Sequence, residues 1–269
     1  MSNRNVIIGG ALVTLALTVA VLAPWLAPHP YAQTDLLNTW ALPDGDNWLG
    51  TDALGRDIAS RLIIGARSSL LVAGSVMIIT LIIGVTLGTI AGYFGGWIDA
   101  SIMRLVDIVL SFPEIVFAIV IAAVFGPGIP TVIFVLSASW WPGIARLARS
   151  LVLVLRGEAF IEAAIVAGTP THLILLRHLL PNMIAPLLVR ASVGIGFIIM
   201  AEATLSFLGL GIQEPTPSWG GMIRDGLVVL RTDPMLASAA SVVLGLTIIG
   251  FNLCGDGLRD VLDPRLEGR

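Results

Sequence analysis

The sequence predicts an all-α, polytopic membrane protein with about six transmembrane helices, both termini cytoplasmic, and a pair of short cytoplasmic helices between spans 4 and 5. Three observations predict it. Of the 269 residues 56% are hydrophobic and only 12% charged, against the roughly 25% charged content of a soluble domain. Several apolar runs reach the ~20 residues that cross hydrocarbon as a helix. A mean hydropathy of +0.93 leaves too few polar residues to cover a water-facing surface around a core of this size.

The first apolar run, residues 6–27, follows Arg4 and closes on Pro24, Pro28 and Pro30. It is longer than a signal-peptide core and has no clean Ala-x-Ala site ahead of the prolines, so it reads as a retained first span. Residues 28–67 form a polar connection with five acidic residues. The connection closes on an amphipathic stretch at 54–67. There Leu54, Ile58 and Leu62 recur every four residues while Asp57 and Arg61 pair on another face, the pattern of a helix lying in the membrane interface.

No charge occurs between Arg67 and Asp99, which gives the second span, and Gly84, Gly88 and Gly92 repeat every four residues within it. Small residues at that spacing permit close approach of another helix. The chain thus divides into residues 1–67, a transmembrane helix plus external loop, and residues 68–269, a five-helix core.

The hydrophobic stretch from 104 to 146 is too long for one crossing and is broken at Gly126-Pro127-Gly128-Ile129-Pro130, giving spans three and four. Residues 150–181 mix polar and apolar positions. A fifth span at 182–210 ends on Gly209 and Gly211. A loop at 213–233 carries Pro215, Pro217 and Trp219, the last placed to anchor at headgroup level, and a sixth span follows at 235–255.

Six crossings leave both termini on one side. That side holds Arg4, Arg104, Arg146, Arg149, Arg156, Arg177, Arg259, Arg265 and Arg269, against Arg56, Arg61, Arg67, Arg224 and Arg231 opposite. Nine against five places the termini in the cytoplasm.

Composition also excludes chemistry. All fifteen basic residues are Arg, so the chain has no Lys for a phosphate-binding loop or a Schiff base. Cys254 is the single cysteine, and His29, His172 and His178 do not form a ligand set on one helix face, which argues against a metal site. A net charge of −3 argues against a nucleic-acid partner. No Ser/His/Asp set at usable spacing suggests an enzyme. An ion-coupled carrier would show denser midplane charge and two similar halves, and neither is present.

Residues 157–181 parse as two short helices at an angle. Gly168 suits the left-handed stop of the first, Thr169 caps the second, Pro170 takes its first position, and Pro181 ends it. Ala163, Ala164 and Ala167 make a small face that fits closely in a groove on another protein. From the residues alone two readings stand: an interfacial hairpin that merely joins two spans, or a projecting knuckle that couples mechanically to a partner.

The string Glu162-Ala163-Ala164, three residues, then Gly168, and later Leu180-Pro181, resembles the EAA loop of ATP-binding-cassette importer permeases. His178 stands where the general pattern has an aliphatic residue, and His178-x-x-Pro181-Asn182 resembles the peptide and nickel branch. Three further strings resemble that branch. They are Trp48-Leu49-Gly50-Thr51-Asp52-x-x-Gly55-Arg56-Asp57-x-x-Ser60-Arg61, then Ser206-Phe207-Leu208-Gly209-Leu210-Gly211 with Pro215-x-Pro217-x-Trp219-Gly220, and Phe251-Asn252-Leu253-x-Gly255-Asp256-Gly257-Leu258-Arg259-Asp260-x-Leu262-Asp263-Pro264-Arg265. Without the resemblance, Asp52 and Asp57 with Arg56 and Arg61 brace the outer loop by exposed ion pairs, each contributing about 0–1 kcal/mol.

The resemblance spans nearly the whole chain and implies the second permease subunit of a pair in the bacterial inner membrane. Its implied partners are a second homologous permease in a heterodimer, two ATPase subunits carrying ATP and Mg, an extracytoplasmic solute-binding protein, and the lipid bilayer. No cofactor is implied in this chain. Glu162, Ala163, Ala164, Gly168, His178 and Pro181 are the implied ATPase-coupling residues, and dipeptides, oligopeptides, nickel chelates, glutathione or opine-like compounds are the solutes left open.

Four charges fall in or near predicted spans: Asp107, Glu114, Arg190 and Glu202. A charge at mid-bilayer costs roughly 2.5–3.5 kcal/mol even on the lenient insertion scale, so each needs a partner, water or a proton. Asp107 and Arg190 lie toward the cytoplasmic ends, where snorkelling and pairing explain them. Glu114 and Glu202 are deeper. A translocation-pathway role and interhelical hydrogen bonding are both open for them, and Pro113 ahead of Glu114 predicts a kink there.

Overall fold

The structure, a computed structural model, describes residues 2–262. Arg265, Arg269 and the Asp263-Pro264-Arg265 end of the last string lie outside the described residues. Helix α1 is Ser2–Leu26, α2 Ile58–Phe94, α3 Gly96–Leu110, α4 Glu114–Phe125, α5 Ile129–Leu155, α6 Ala159–Val166, α7 Thr171–Leu173, α8 Leu180–Phe207, α9 Trp219–Leu227 and α10 Met235–Leu262. Five helical stretches are long and apolar enough to cross a membrane singly, and α3 with α4, bent by 85°, passes the same test only as a pair, which gives up to six spans. The bundle is all-α, as the composition predicts.

The core is where α2, α5, α8 and α10 meet, around Val72, Val76, Val135, Leu136, Ile198 and Phe251. Much of the outer apolar surface stays uncovered, as at Val21, Trp25, Ile78, Ile82 and Val124, as suits helices that face lipid or another subunit.

The glycine row of α2 lies on α5. A Cβ on Gly84 would meet Ile144 and the Trp141 carbonyl, one on Gly88 the Ala145 carbonyl, and one on Gly92 the Arg149 carbonyl. A second close pairing was not expected from the sequence: Gly9 of α1 abuts the backbone of Leu253 and Cys254 in α10, and Gly250 and Gly257 abut Leu12 and Val6.

Four local expectations change. Residues 54–67 do not form a separate interfacial helix, because α2 starts at Ile58 and runs unbroken for 37 residues, about 55 Å at 1.5 Å per residue. Its apolar start turns inward: Ile58 and Leu62 pack with Met222, Leu236 and Ala240. Asp57 does not pair with Arg61 but caps the helix, accepting the Ser60 N–H at 2.7 Å.

The kink expected at Pro113 in the third span is a full break. The span breaks at Ser111 to Pro113, with Pro113 as the N-cap of α4, since proline offers no N–H to carry the α3 ladder onward. The 213–233 loop contains α9, capped by Ser218 accepting from the Gly221 N–H at 3.1 Å. Trp219 is buried, not a headgroup anchor; its indole N–H donates to the Leu62 carbonyl at 3.2 Å.

The fourth change concerns Pro181, which does not end the second short helix. Residues Ile174–Leu179 wind as a π-helix between α7 and α8, and Thr171–Phe207 forms one continuous 37-residue rod. The wider π-turns lie directly ahead of the residue that lacks an N–H, where the α ladder is interrupted in any case.

Relative sidedness follows from contacts. Connection 27–57 and connection 208–234 meet at one end of the bundle, through Arg56 and Arg61 with Glu214. The opposite end carries the 156–170 hairpin, where the Arg156 guanidinium sits 5.8 Å from the Tyr93 ring centroid at the end of α2.

Candidate coupling site

Helix α6 ends in a Schellman motif. Gly168 has φ +74°, its N–H donates to the Ile165 carbonyl at 3.0 Å, and the Thr169 N–H reaches the Ala164 carbonyl at 3.0 Å. The left-handed stop is thus as the sequence predicts, while Pro170 rather than Thr169 occupies the cap position of α7.

Ile161 and Ala164 of α6 turn inward against the π-segment, in one cluster with Ile174, Leu179 and Met183 and with Ile144, Ala148 and Val152 of α5. Ala164 is therefore not part of an outward small face. That face consists of Glu162, Ala163 and Ala167, next to exposed Phe160, Ile165 and Val166, the last 88% exposed. His178 is half-buried and its carbonyl accepts from the Asn182 amide at 2.6 Å, while Pro181 is exposed. The arrangement is a firm inner seam carrying an apolar knob with an acidic edge.

The charges in the membrane separate into different environments. Asp107 is exposed and pairs with Arg146 at 2.7 Å. Asp99 and Arg149 pair at 2.5 Å. Arg190 lies against Gly143, with no ion pair among the described residues. Glu114 sits on the first turn of α4 at the break, exposed, and accepts from the indole N–H of Trp140.

Glu202 is 0% exposed. One carboxyl oxygen accepts from the Ser206 hydroxyl at 2.8 Å; the other lies beside the buried Ser69 of α2 and makes no hydrogen bond of good geometry among the described residues.

At the other end of the bundle Arg56 pairs with Asp52 at 2.7 Å, Arg61 with Glu214 at 2.7 Å, and Arg56 with Glu214 as well. Asp52, Arg56 and Arg61 are buried while Glu214 is half-exposed, so this network is enclosed on its arginine side and not the fully exposed bracing expected from the sequence. It lines a cavity of about 560 Å³ with Arg224, Asp225 and Leu236. Burial acts to raise the Glu214 carboxyl, but the Arg61 and Arg56 guanidinium groups together outweigh it and hold the carboxyl below its usual range. No sequence pattern marks Glu214 itself, and the adjacent Pro215 and Pro217 are the only signal near it.

Comparison with known proteins fits this architecture. Residues 84–268 match the model of the binding-protein-dependent transport system inner membrane component, and residues 1–43 match the N-terminal transmembrane domain of oligopeptide transport permease C. The dipeptide transport system permease protein DppC of Alkalihalophilus pseudofirmus is 42% identical over 98% of this chain and 87% of its own. The glutathione transport system permease protein GsiD of Pectobacterium atrosepticum is 41% identical over 96% and 86%, and the oligopeptide transport system permease protein OppC of Haemophilus influenzae 41% over 97% and 86%. With both family models and similarity over most of each relative's length meeting on a polytopic helical bundle, the chain belongs to the inner-membrane permease components of binding-protein-dependent, ATP-binding-cassette importers.

Proposed function

We propose that the chain forms a heterodimer with a second, homologous permease and passes peptides or related small solutes, such as dipeptides, oligopeptides or glutathione, from an extracytoplasmic binding protein to the cytoplasm. Two ATPase subunits, binding ATP and Mg, dock on the hairpin of residues 157–181 from the cytoplasmic side. The observation that carries this reading is the continuity of the hairpin with span five: α7, the π-turns and α8 are one rod. Motion at the knob of α6 is thereby passed through the Gly168 turn into span five.

The exposed Glu162 edge and the apolar residues Phe160 and Val166 supply what a groove on a partner recognises. Ala164 contributes by seating α6 against the π-segment, and His178 and Pro181 by shaping the rod's start. Glu114, at the break of the third span, is the residue proposed to face the solute pathway. Solubilised and affinity-purified from its native membrane, the tagged chain is expected to bring a second permease and an ATPase. Its cognate binding protein is expected to gain thermal stability with a peptide. Recovery of the chain alone, from membranes shown to contain the other subunits, overturns the assembly.

A further inference from the structure

A polar thread, buried at its inner end, ties the rod of span five to the loop that follows it. Glu202 accepts from the Ser206 hydroxyl at 2.8 Å. The same Ser206 oxygen accepts from the Ile212 N–H at 3.1 Å. Helix α8 ends on its own Schellman stop, with Gly209 at φ +81° and the Leu210 N–H on the Leu205 carbonyl at 2.9 Å. Gly211 then folds back so tightly that a Cβ would overlap Ser206. The Gln213 amide donates to the Gly209 and Gly211 carbonyls at 3.2 and 3.0 Å, and Glu214 engages Arg61 and Arg56 of the outer connection. Farther on, Gly220 lies against the backbone of Ala203, one residue from Glu202.

Each step is short, and the two at Ser206 are enclosed, while Gln213 and Glu214 reach the surface. Ser206 is 1% exposed and Arg61 2%. The thread therefore connects the end of the rod to the outer connection with little slack, and the rod's other end begins at Thr171, just past Gly168.

We infer that Glu202 is a positioning residue that, through Ser206 and Ile212, clamps the 209–214 turn so that the Glu214 lock on Arg56 and Arg61 is read by span five and relayed to the hairpin. The inference rests on the importer reading above, because it assigns a route between the two faces of that machine. It also departs from a pathway role for Glu202. The clamp uses one carboxyl oxygen as an acceptor, which glutamine also supplies, whereas a residue that handles solute or charge along a pathway needs the carboxylate.

Glu214→Gln tests the same thread from outside the membrane core, since it weakens the pairing with Arg61 and Arg56 on a half-exposed side chain and leaves Glu202 and Ser206 untouched.

The experiment is ATP hydrolysis by the complete transporter in vesicles, with and without binding protein loaded from a mixture of dipeptides, tripeptides and glutathione. Glu202→Leu is expected to lower binding-protein-stimulated hydrolysis about fivefold or more, an ordinary magnitude for coupling between sites, with basal hydrolysis unchanged. Glu202→Gln should be stimulated like the parent. Glu214→Gln should resemble Glu202→Leu, and the double variant Glu202→Leu with Glu214→Gln should be no worse than either alone, because both interrupt one route.

Parental stimulation in Glu214→Gln, or loss of stimulation in Glu202→Gln equal to that in Glu202→Leu, overturns the clamp. Should Glu202→Leu fail to assemble, the Glu214→Gln and Glu202→Gln results decide. A parental complex that binding protein does not stimulate at all overturns the importer reading itself, and that result is distinguishable because it precedes any variant.

Discussion

Gly88 of α2 lies against the Ala145 carbonyl of α5 with no room between them for a Cβ. The α2–α5 seam is the most extensive helix pairing in the bundle, and its closeness depends on the small residue. Gly88→Val should separate the two helices and destabilise the bundle by about 1–3 kcal/mol, the usual cost of overpacking. Gly74 lies on the same helix, and a Cβ added there would meet nothing within 4 Å, so it should accept Ala without loss. Thermal unfolding of the detergent-purified chain, followed by tryptophan fluorescence, distinguishes the two.

The arginine count leads us to expect residues 150–181 on the cytoplasmic side. In a background with Cys254→Ser, a single cysteine at position 166, where Val166 is exposed, should label with an impermeant maleimide only after the inner membrane is opened. Labelling in sealed, right-side-out vesicles reverses the topology.

Gly168 at φ +74° closes α6, and a β-branched residue held there costs on the order of 1–3 kcal/mol. Nothing else crowds the position, so the strain falls on the turn alone. Gly168→Val should leave the spans inserted and folded while tilting α6 and weakening ATPase retention on affinity purification. Charge reversal at exposed Glu162 should act in the same direction without altering stability. Full retention of ATPase in both variants removes the docking role from this hairpin.

Glu114 accepts from the Trp140 indole at the bend between α3 and α4. Glutamine keeps that acceptor, so Glu114→Gln should assemble normally. A slower transport rate or a changed solute preference, measured by uptake of labelled peptide into vesicles, is the expected outcome of a pathway position. Unchanged uptake assigns Glu114 to helix packing.

The depressed carboxyl of Glu214 carries a sign for pH. Its usual value is 4.5 and the folded value lies lower, so its pairing stabilises the folded state fully above about pH 4.5 and is lost as pH falls through the lower, folded value. The pairing is half-exposed, so the effect is small. Thermal midpoints measured from pH 7 down to pH 3 should fall more steeply for the parent than for Glu214→Gln, and equal slopes would show that the Arg56 and Arg61 pairs do not respond to this group.

The number of spans, the glycine row of α2, the left-handed stop at Gly168 and the break after Phe125 were legible in the sequence because each is a local property. Run length reports crossing, and Gly and Pro report backbone dihedrals. The resemblance to the permease family was legible for a different reason, since its strings are contiguous and long enough to be specific.

The tertiary structure decided which face of each helix is covered. In this chain protein interior and lipid are about equally apolar, so hydrophobic periodicity does not distinguish them. Hence Ala164 turned inward, Trp219 turned into the bundle onto the Leu62 carbonyl, and residues 58–67 joined the bundle as the start of α2. Pairs distant in sequence were beyond any local pattern: Glu214 meets Arg61 across 153 positions. Only the fold brings those connections to the same end of the bundle, and only there does desolvation turn two surface-looking arginines and a loop carboxylate into a lock.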